Sequence, residues 1–454
     1  MCPHYRQTLI TLLYQPFYIM KTALLPEKFL ISFKSLVLKP RNSAEAYYNF
    51  FYFLVYLIVR FIFIFIFCLF FLPDCKKHED VNRSASEVYE IEIEEEAVII
   101  DPVQTRSFDI TSSMDDRLLA AQVLICGIDG RGWLPPHITE LLDECPAGGI
   151  MFFRYNLDTG NESIRSLLTM TKSFITERTG IPPFLAVDHE GGTVNRFSRG
   201  VATLPAASSY WQLCLAEGRQ AALLKVEEDS LRAGREIRDL GFNLNFAPVA
   251  EYLNDNNRIF LDSRSYGPDV SFASAASMAF MRSMEQVGVL CVIKHFPGSA
   301  GIDPHYSASV MNGNKEALDR LIYPFSAAFR NGARAVMIAH TIVPSIDSKI
   351  ASLSDAVMQN WLRGELGFGG IAISDDFAMA AAGGMKSEEA AVYALAAGVD
   401  MILVWPTDIA NTHREIISAL DDGRLTRTRL REAAQRIIYE KIRMNILINT
   451  DETP

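Results

Sequence analysis

Between residues 115 and 446 the chain repeats one arrangement eight times, a short and strongly apolar run followed by polar or glycine-rich sequence and then a stretch with helical periodicity. The apolar runs are Gln122 to Ile128, Gly148 to Phe153, Pro183 to Val187, Leu244 to Val249, Leu290 to Ile293, Ala335 to Ile338, Gly369 to Ile373 and Met401 to Val404. Amphipathic helical stretches between them include Glu162 to Glu177, Lys225 to Leu240, Val270 to Gln286, Lys315 to Asn331 and Ser354 to Leu362. A run apolar at every position belongs to a strand covered on both faces, as in a parallel sheet dressed with helices. Eight such units meet the requirement of an α/β fold of the (β/α)8 TIM-barrel type, whose usual size of about 250 residues grows by insertion. An open doubly wound sheet is the competing arrangement, because periodicity alone carries no information about closure.

In either arrangement, side chains at the carboxyl ends of the strands face the ligand site. Chemistry-bearing residues cluster there. Asp188-His189-Glu190-Gly191-Gly192 follows the third run, Glu251 and then Arg264 the fourth, Lys294 and His295 the fifth, His340 the sixth, and Asp375 and Asp376 the seventh. Four of the eight histidines, His189, His295, His305 and His340, fall in these segments. An enzyme is therefore expected. A formal charge of −11 disfavours nucleic acid as a partner, since phosphate backbones call for a basic surface. Cys126 and Cys291 sit inside strand runs as small buried thiols, and neither a CxxC nor an HExxH pair suggests a metal.

The first hundred residues read differently. A basic segment, 1–48, precedes a hydrophobic one, 49–75, in which Phe50 to Leu72 is broken only by Arg60. Each central Phe, Leu, Ile or Val favours insertion by roughly 0.3 to 0.6 kcal/mol, against a cost of about 2.5 to 3.5 kcal/mol for one Arg, so the apolar residues prevail. Lysines and arginines upstream and a glutamate-rich spacer, 76–114, downstream orient the bulk of the chain away from the cytoplasm. The segment reads as an uncleaved anchor, as a lipoprotein signal ending at Leu72-Pro73-Asp74-Cys75, or as a cleaved signal peptide. A start at Met114 would instead leave a cytoplasmic protein. The alternation Val88-Tyr89-Glu90-Ile91-Glu92-Ile93 marks a candidate strand in the spacer, and 447–454 forms a short tail.

The repeating region carries, in this order, Val187-Asp188-His189-Glu190-Gly191-Gly192, Asn195-Arg196-Phe197, Asn245-Phe246-Ala247-Pro248-Val249, Arg264-Ser265-Tyr266-Gly267, Lys294-His295-Phe296-Pro297-Gly298, Asp303-x-His305 and Ser374-Asp375-Asp376. These motifs resemble those of the family-3 glycoside hydrolases. The similarity runs from about 120 to 445 and is greatest to the bacterial single-domain β-N-acetylglucosaminidases of peptidoglycan recycling. It implies that Asp375 is the nucleophile of a retaining mechanism and that His305, oriented by Asp303, is the acid/base on a loop after the fifth strand. Strand alternation lets only one of Asp375 and Asp376 point inward, and the resemblance selects the first.

Asp188 is then suited to accept hydrogen bonds from sugar hydroxyls, Arg264, Lys294 and His295 to donate to hydroxyls and an acetamido oxygen, and Arg196 to support Asp188. A carbohydrate partner is implied, with neither metal nor organic cofactor. The chain departs from the family in the loop before the acid/base, reading Gly298-Ser299-Ala300-Gly301 where relatives carry Gly-His-Gly, and with Pro304 in place of a serine. That departure keeps a family-3 β-glucosidase, a glycoside phosphorylase and a catalytically inactive sugar-binding barrel open as alternatives.

Overall fold

The computed structural model describes residues 101–301, 309–377 and 385–448. Each of the eight apolar runs contains a strand: β1 Leu124–Gly127, β2 Gly149–Phe152, β3 Phe184–Val187, β4 Leu244–Asn245, β5 Leu290–Phe296, β6 Ala335–Ile338, β7 Ile371–Ser374 and β8 Ile402–Val404. Adjacent strands pair in parallel, with β8 returning to β1 through Leu124 opposite Ile402. Closure is completed between β7 and β8, where Ser374 N donates to Met401 O at 2.9 Å and Met401 N to Ala372 O at 3.1 Å. The sheet is thus a (β/α)8 barrel, and the open alternative falls away.

Helices form where the periodicity places them, and local capping fixes their ends. The helix Val270–Gln286 starts at Asp269, whose carboxylate accepts from Phe272 N at 2.6 Å. Lys315–Arg330 starts at Asn314, which accepts from Ala317 N at 3.0 Å. The stretch expected from Ser354 is wound as a π-helix over Ala356–Glu365. Tight joints at the amino ends of the strands depend on glycine: a Cβ on Gly370 would lie 2.2 Å from Arg334 O, so only hydrogen fits where β7 enters beside β6.

One boundary moves. Residues 102–113, read from sequence as part of the spacer, form a helix (Pro102–Ser113) whose first turn is capped by Asp101. It packs against the last helix, Arg427–Arg443, with Tyr439 OH donating to Asp101 Oδ2 at 2.8 Å. Its low hydrophobic content concealed it, since only Ser107 and Thr111 are buried. The hydrophobic segment 49–75, the candidate strand Val88–Ile93 and most of the 447–454 tail lie outside the described residues. No described helix is long and apolar enough to cross a membrane.

Candidate active site

The carboxyl ends of the strands surround a cavity of about 530 Å³. Asp188, Arg196, Arg264, Lys294, His295 and Asp375 all line it, so the separate segments singled out in the sequence converge on one place. Asp303, Pro304 and His305 lie outside the described residues.

The β3 corner is built by period-two alternation. After β3 the chain enters a small hairpin, His189–Gly191 against Val194–Asn195. Asp188 and Glu190 face the cavity, while His189 between them turns inward against Phe197, edge-on at 5.3 Å. Asn245 at the end of β4 holds this corner by accepting from His189 N at 2.9 Å and donating to His189 O at 3.0 Å. Burial pushes the His189 imidazole down to about 4, so it is neutral near pH 7 and serves packing. The hairpin then turns through Gly191, with φ at 101°, where a Cβ would meet Pro205 O at 2.3 Å.

Lys294 and His295 are consecutive yet both line the cavity, because the β5–β6 ladder shifts register between Ile293 and Phe296. Lys294 Nζ lies 3.0 Å from Asp188 Oδ1 and 2.6 Å from Glu190 Oε1. Arg264 grips Glu190 through two hydrogen bonds of 2.9 Å, and Arg196 donates to Asp188 Oδ2 at 2.9 Å. Two anions and three cations therefore alternate along one wall. Burial raises the carboxyl of Glu190, but Lys294 and Arg264 outweigh it and hold the group at about 2. Asp188 is likewise lowered, with burial opposed by Lys294 and Arg196. Both stay ionised, and Asp188 is a permanent hydrogen-bond acceptor.

Glu251 anchors the next corner. Val249 bridges to Lys294 in parallel, which carries Glu251 alongside His295. Its buried carboxylate meets His295 Nδ1 at 2.8 Å and accepts from Ser299 N at 2.5 Å and Ser299 Oγ at 3.0 Å. One side chain thus fixes both His295 and the start of the loop that departs from the family.

At β7 the alternation argument fails: both Asp375 and Asp376 line the cavity. The strand ends at Ser374, so the two aspartates follow the pleat instead of belonging to it. Asp375 N still donates to Ile338 O at 3.0 Å, holding its backbone in line with the barrel, and Asp376 N donates to Asp375 Oδ1 at 2.9 Å. The Asp376 carboxylate accepts from the indole N–H of Trp405. His340 Nε2 lies 3.1 Å from Asp376 O while its Nδ1 meets Ser352 Oγ at 2.9 Å. Burial lowers the His340 imidazole against the opposing pull of Asp375, so a neutral ring supports this turn.

Glu190 and Glu251 were placed behind their strands from sequence but given no role there, and Trp405 was not singled out. Glu190 was marked by its period-two relation to Asp188. Trp405 was marked by following β8 directly, a place to which the strand-end rule applies as it does to the others.

Residues 134–439 match the family described as the Glycosyl hydrolase family 3 N terminal domain. A beta-hexosaminidase from Stenotrophomonas maltophilia (strain K279a) is 34% identical over 289 residues, covering 62% of this chain and 83% of the relative. Among solved structures, a glycoside hydrolase family 3 beta-N-acetylglucosaminidase from Paenibacillus sp. str. FPU-7 superposes with a TM-score of 0.69 at 28% identity, covering 75% of this chain. The match spans just under two thirds of that longer protein, 65%. Native NagZ from Neisseria gonorrhoeae gives a TM-score of 0.57 at 26% identity, with coverage of 70% of this chain and 96% of that one.

Proposed function

This chain belongs to family 3 of the glycoside hydrolases, and from that membership we propose that it is a retaining, exo-acting β-N-acetylhexosaminidase. Its substrates are terminal β-linked N-acetylglucosamine units of peptidoglycan-derived or chitin-like glycans. The observation that most supports this reading is the position of Asp375, directly behind β7 on the wall of the cavity that also holds the Asp188, Lys294, Glu190 and Arg264 network. The relatives, a beta-hexosaminidase and a beta-N-acetylglucosaminidase, support the same reading.

In this reading Asp188 accepts hydrogen bonds from ring hydroxyls, and Lys294, Arg264 and His295 donate to the sugar. Asp375 attacks the anomeric carbon as the leaving oxygen takes a proton from His305, with Asp303 stabilising the imidazolium. Water, deprotonated by the same imidazole, then releases the sugar from Asp375 with net retention. A fluorinated glycosyl fluoride that slows the second step tests the nucleophile: peptide mapping should recover the label on Asp375, and a label on Asp376 refutes the assignment. The acid is tested by His305→Ala, which should depress hydrolysis of a disaccharide far more than that of an aryl glycoside with a low-pKa phenol.

The catalytic unit belongs, in this proposal, outside the cytoplasm and is tethered through residues 49–75, as anchor or as lipoprotein. Support comes from the sequence of 1–96 alone, with its basic, apolar and acidic segments in that order. Protease added to spheroplasts should digest the barrel; complete protection there overturns the export reading.

A further inference from the structure

Around the rim of the barrel the residues described so far occupy only part of the circle. The charged wall stands on β3 to β5 and Asp375 on β7. Among the described residues the remaining arc, from β8 across β1 to β2, contributes Arg154 to the cavity, donating to Asn195 O at 2.7 Å, but no charged network of that kind. It carries aromatic rings. Trp405 follows β8, and Phe153 and Tyr155 follow β2.

The three rings form a near-parallel stack. Phe153 lies 5.4 Å from Trp405 at an interplanar angle of 11°, and 5.8 Å from Tyr155 at 19°. The fold makes room for the stack and fixes it. Gly127 closes β1 beneath it, and a Cβ there would stand 2.6 Å from Phe153 Cε2. Phe153 N donates to Asn156 Oδ1 at 2.8 Å, Asn156 Nδ2 donates to Ile128 O at 2.9 Å, and Tyr155 OH donates to Ile128 O at 3.1 Å. The Trp405 indole is oriented by its N–H bond to Asp376. All three rings line the catalytic cavity, yet Trp405 keeps 40% of its surface exposed and Tyr155 36%. Large aromatic surface left open at a cavity edge, on a support this well tied, marks a recognition surface.

We propose that this stack is the platform for the group on the leaving side of the scissile bond, and that its preferred occupant is a second pyranose ring lying with its C–H face on Trp405. The inference rests on the glycosidase reading above and adds where the aglycone goes. The argument is one of order around the rim. A sugar whose hydroxyls meet the β3 to β5 wall presents its anomeric carbon at β7, and the next strand round the circle is β8. In-line attack by Asp375 expels the bonded group on the opposite face of that carbon, away from the wall and toward the open edge of the cavity, where Trp405 and Tyr155 stand exposed. A pyranose suits an aromatic surface because its axial C–H groups make an apolar face while its hydroxyls project from the edge. Trp405 is thus a specificity-determining residue that does not itself touch the reacting atoms.

The test compares Trp405→Ala, Trp405→Phe and the native chain on three N-acetylglucosaminides: the β1,4-linked disaccharide, an aryl glycoside and the methyl glycoside. The proposal requires that Trp405→Ala raise KM for the disaccharide roughly tenfold or more, the usual consequence of truncating a tryptophan at a binding hot spot. It also requires that this loss exceed the loss on the methyl glycoside by about the same factor. Trp405→Phe, which retains a stacking face and lacks the N–H, should recover most of the disaccharide activity. Equal losses on all three substrates, or a defect that Phe does not repair, would show that the indole acts by holding Asp376, and the proposal fails. A native chain that hydrolyses none of the three removes the glycosidase reading and the platform together, whereas hydrolysis without discrimination removes the platform alone.

Discussion

Buried charge is concentrated at both ends of this barrel, and the two ends use it in opposite ways. At the mouth, Asp188, Glu190, Lys294, Arg264 and Arg196 pair with one another but stay on the wall of an open cavity. At the floor, Asp400 at the start of β8 is fully enclosed and meets Arg363 at 2.6 Å, Arg429 at 2.8 Å and Arg436 at 3.1 Å, with Ala372 N donating to it at 2.9 Å. Nearby, Lys441 is buried and donates to Gln122 Oε1 at 3.0 Å over the Phe184 ring. The floor network ties the last two strand entries to the outer helices; its carboxylate, Asp400, is enclosed, and of its partners Arg436 reaches the wall of a second cavity. In the proposed reading similar ion pairs serve recognition in one place and assembly in the other, and the difference is that the carboxylates themselves face a cavity at the mouth while Asp400 faces none.

The sharpest way to break that comparison is to neutralise one aspartate at each end. Asp375→Asn should reduce kcat by about 10⁴-fold or more while leaving the unfolding midpoint close to native, since a partly exposed side chain outside the pleat is changed without loss of volume. Asp400→Asn should do the reverse. It leaves three guanidinium groups without their anion and should cost about 3 to 5 kcal/mol of stability, with kcat per folded molecule preserved. Denaturant titration beside single-substrate kinetics separates the outcomes; an Asp400→Asn enzyme with native stability and poor kcat would dissolve the distinction.

Glu251 lies between the two extremes, because it is buried like the floor residues but holds the site. Glu251→Ala frees both His295 and Ser299, and a displacement near 1 Å in what they position costs about 10²-fold. The loss should fall mainly on kcat and be larger for a disaccharide than for an aryl glycoside with a good leaving group. A rise in KM alone would assign Glu251 to sugar binding instead.

The smallest effects are in the pH dependence of stability, and the two ends should respond in different windows. Glu190 is held at about 2 against an ordinary value of 4.5, so it stabilises the fold above pH 4.5 and that contribution is lost as pH falls toward 2. Glu190→Gln should flatten the acid limb of a stability curve. Lys441 is pushed by burial from 10.5 to about 7. The unfolded chain binds the extra proton between those values, so stability should climb as pH rises from about 7 to 10.5. Lys441→Met should remove that climb, and identical native and variant slopes there would show that the ammonium is solvated.

Much of this was legible in the residues themselves. Eight apolar runs became eight strands because a segment buried on both faces has no polar position to disguise it. Asp188, Lys294, His295 and Asp375 could be placed in one site because each directly follows such a run. The helix Pro102–Ser113 was not legible, since its few buried positions are serine and threonine and its partner lies more than three hundred residues away. Glu190 and Glu251 were legible as charged residues behind the third and fourth runs but had no role assignable from sequence; that role comes from the Lys294, Arg264, His295 and Ser299 atoms that meet them.

The sequence by itself determined the repeating strand and helix units, the end of the barrel that carries the chemistry, and the family, because hydrophobic periodicity and short motifs are local properties of the chain. Tertiary structure alone decided that the barrel closes between Ser374 and Met401, that Asp375 and Asp376 share the cavity, and that Trp405 stacks on Phe153. Each of these depends on where a strand stops or which strand lies beside it. A pattern of period two or 3.6 records which face a residue takes within its own element. It does not record the register between elements, and that register is fixed only when the whole ring packs around one core.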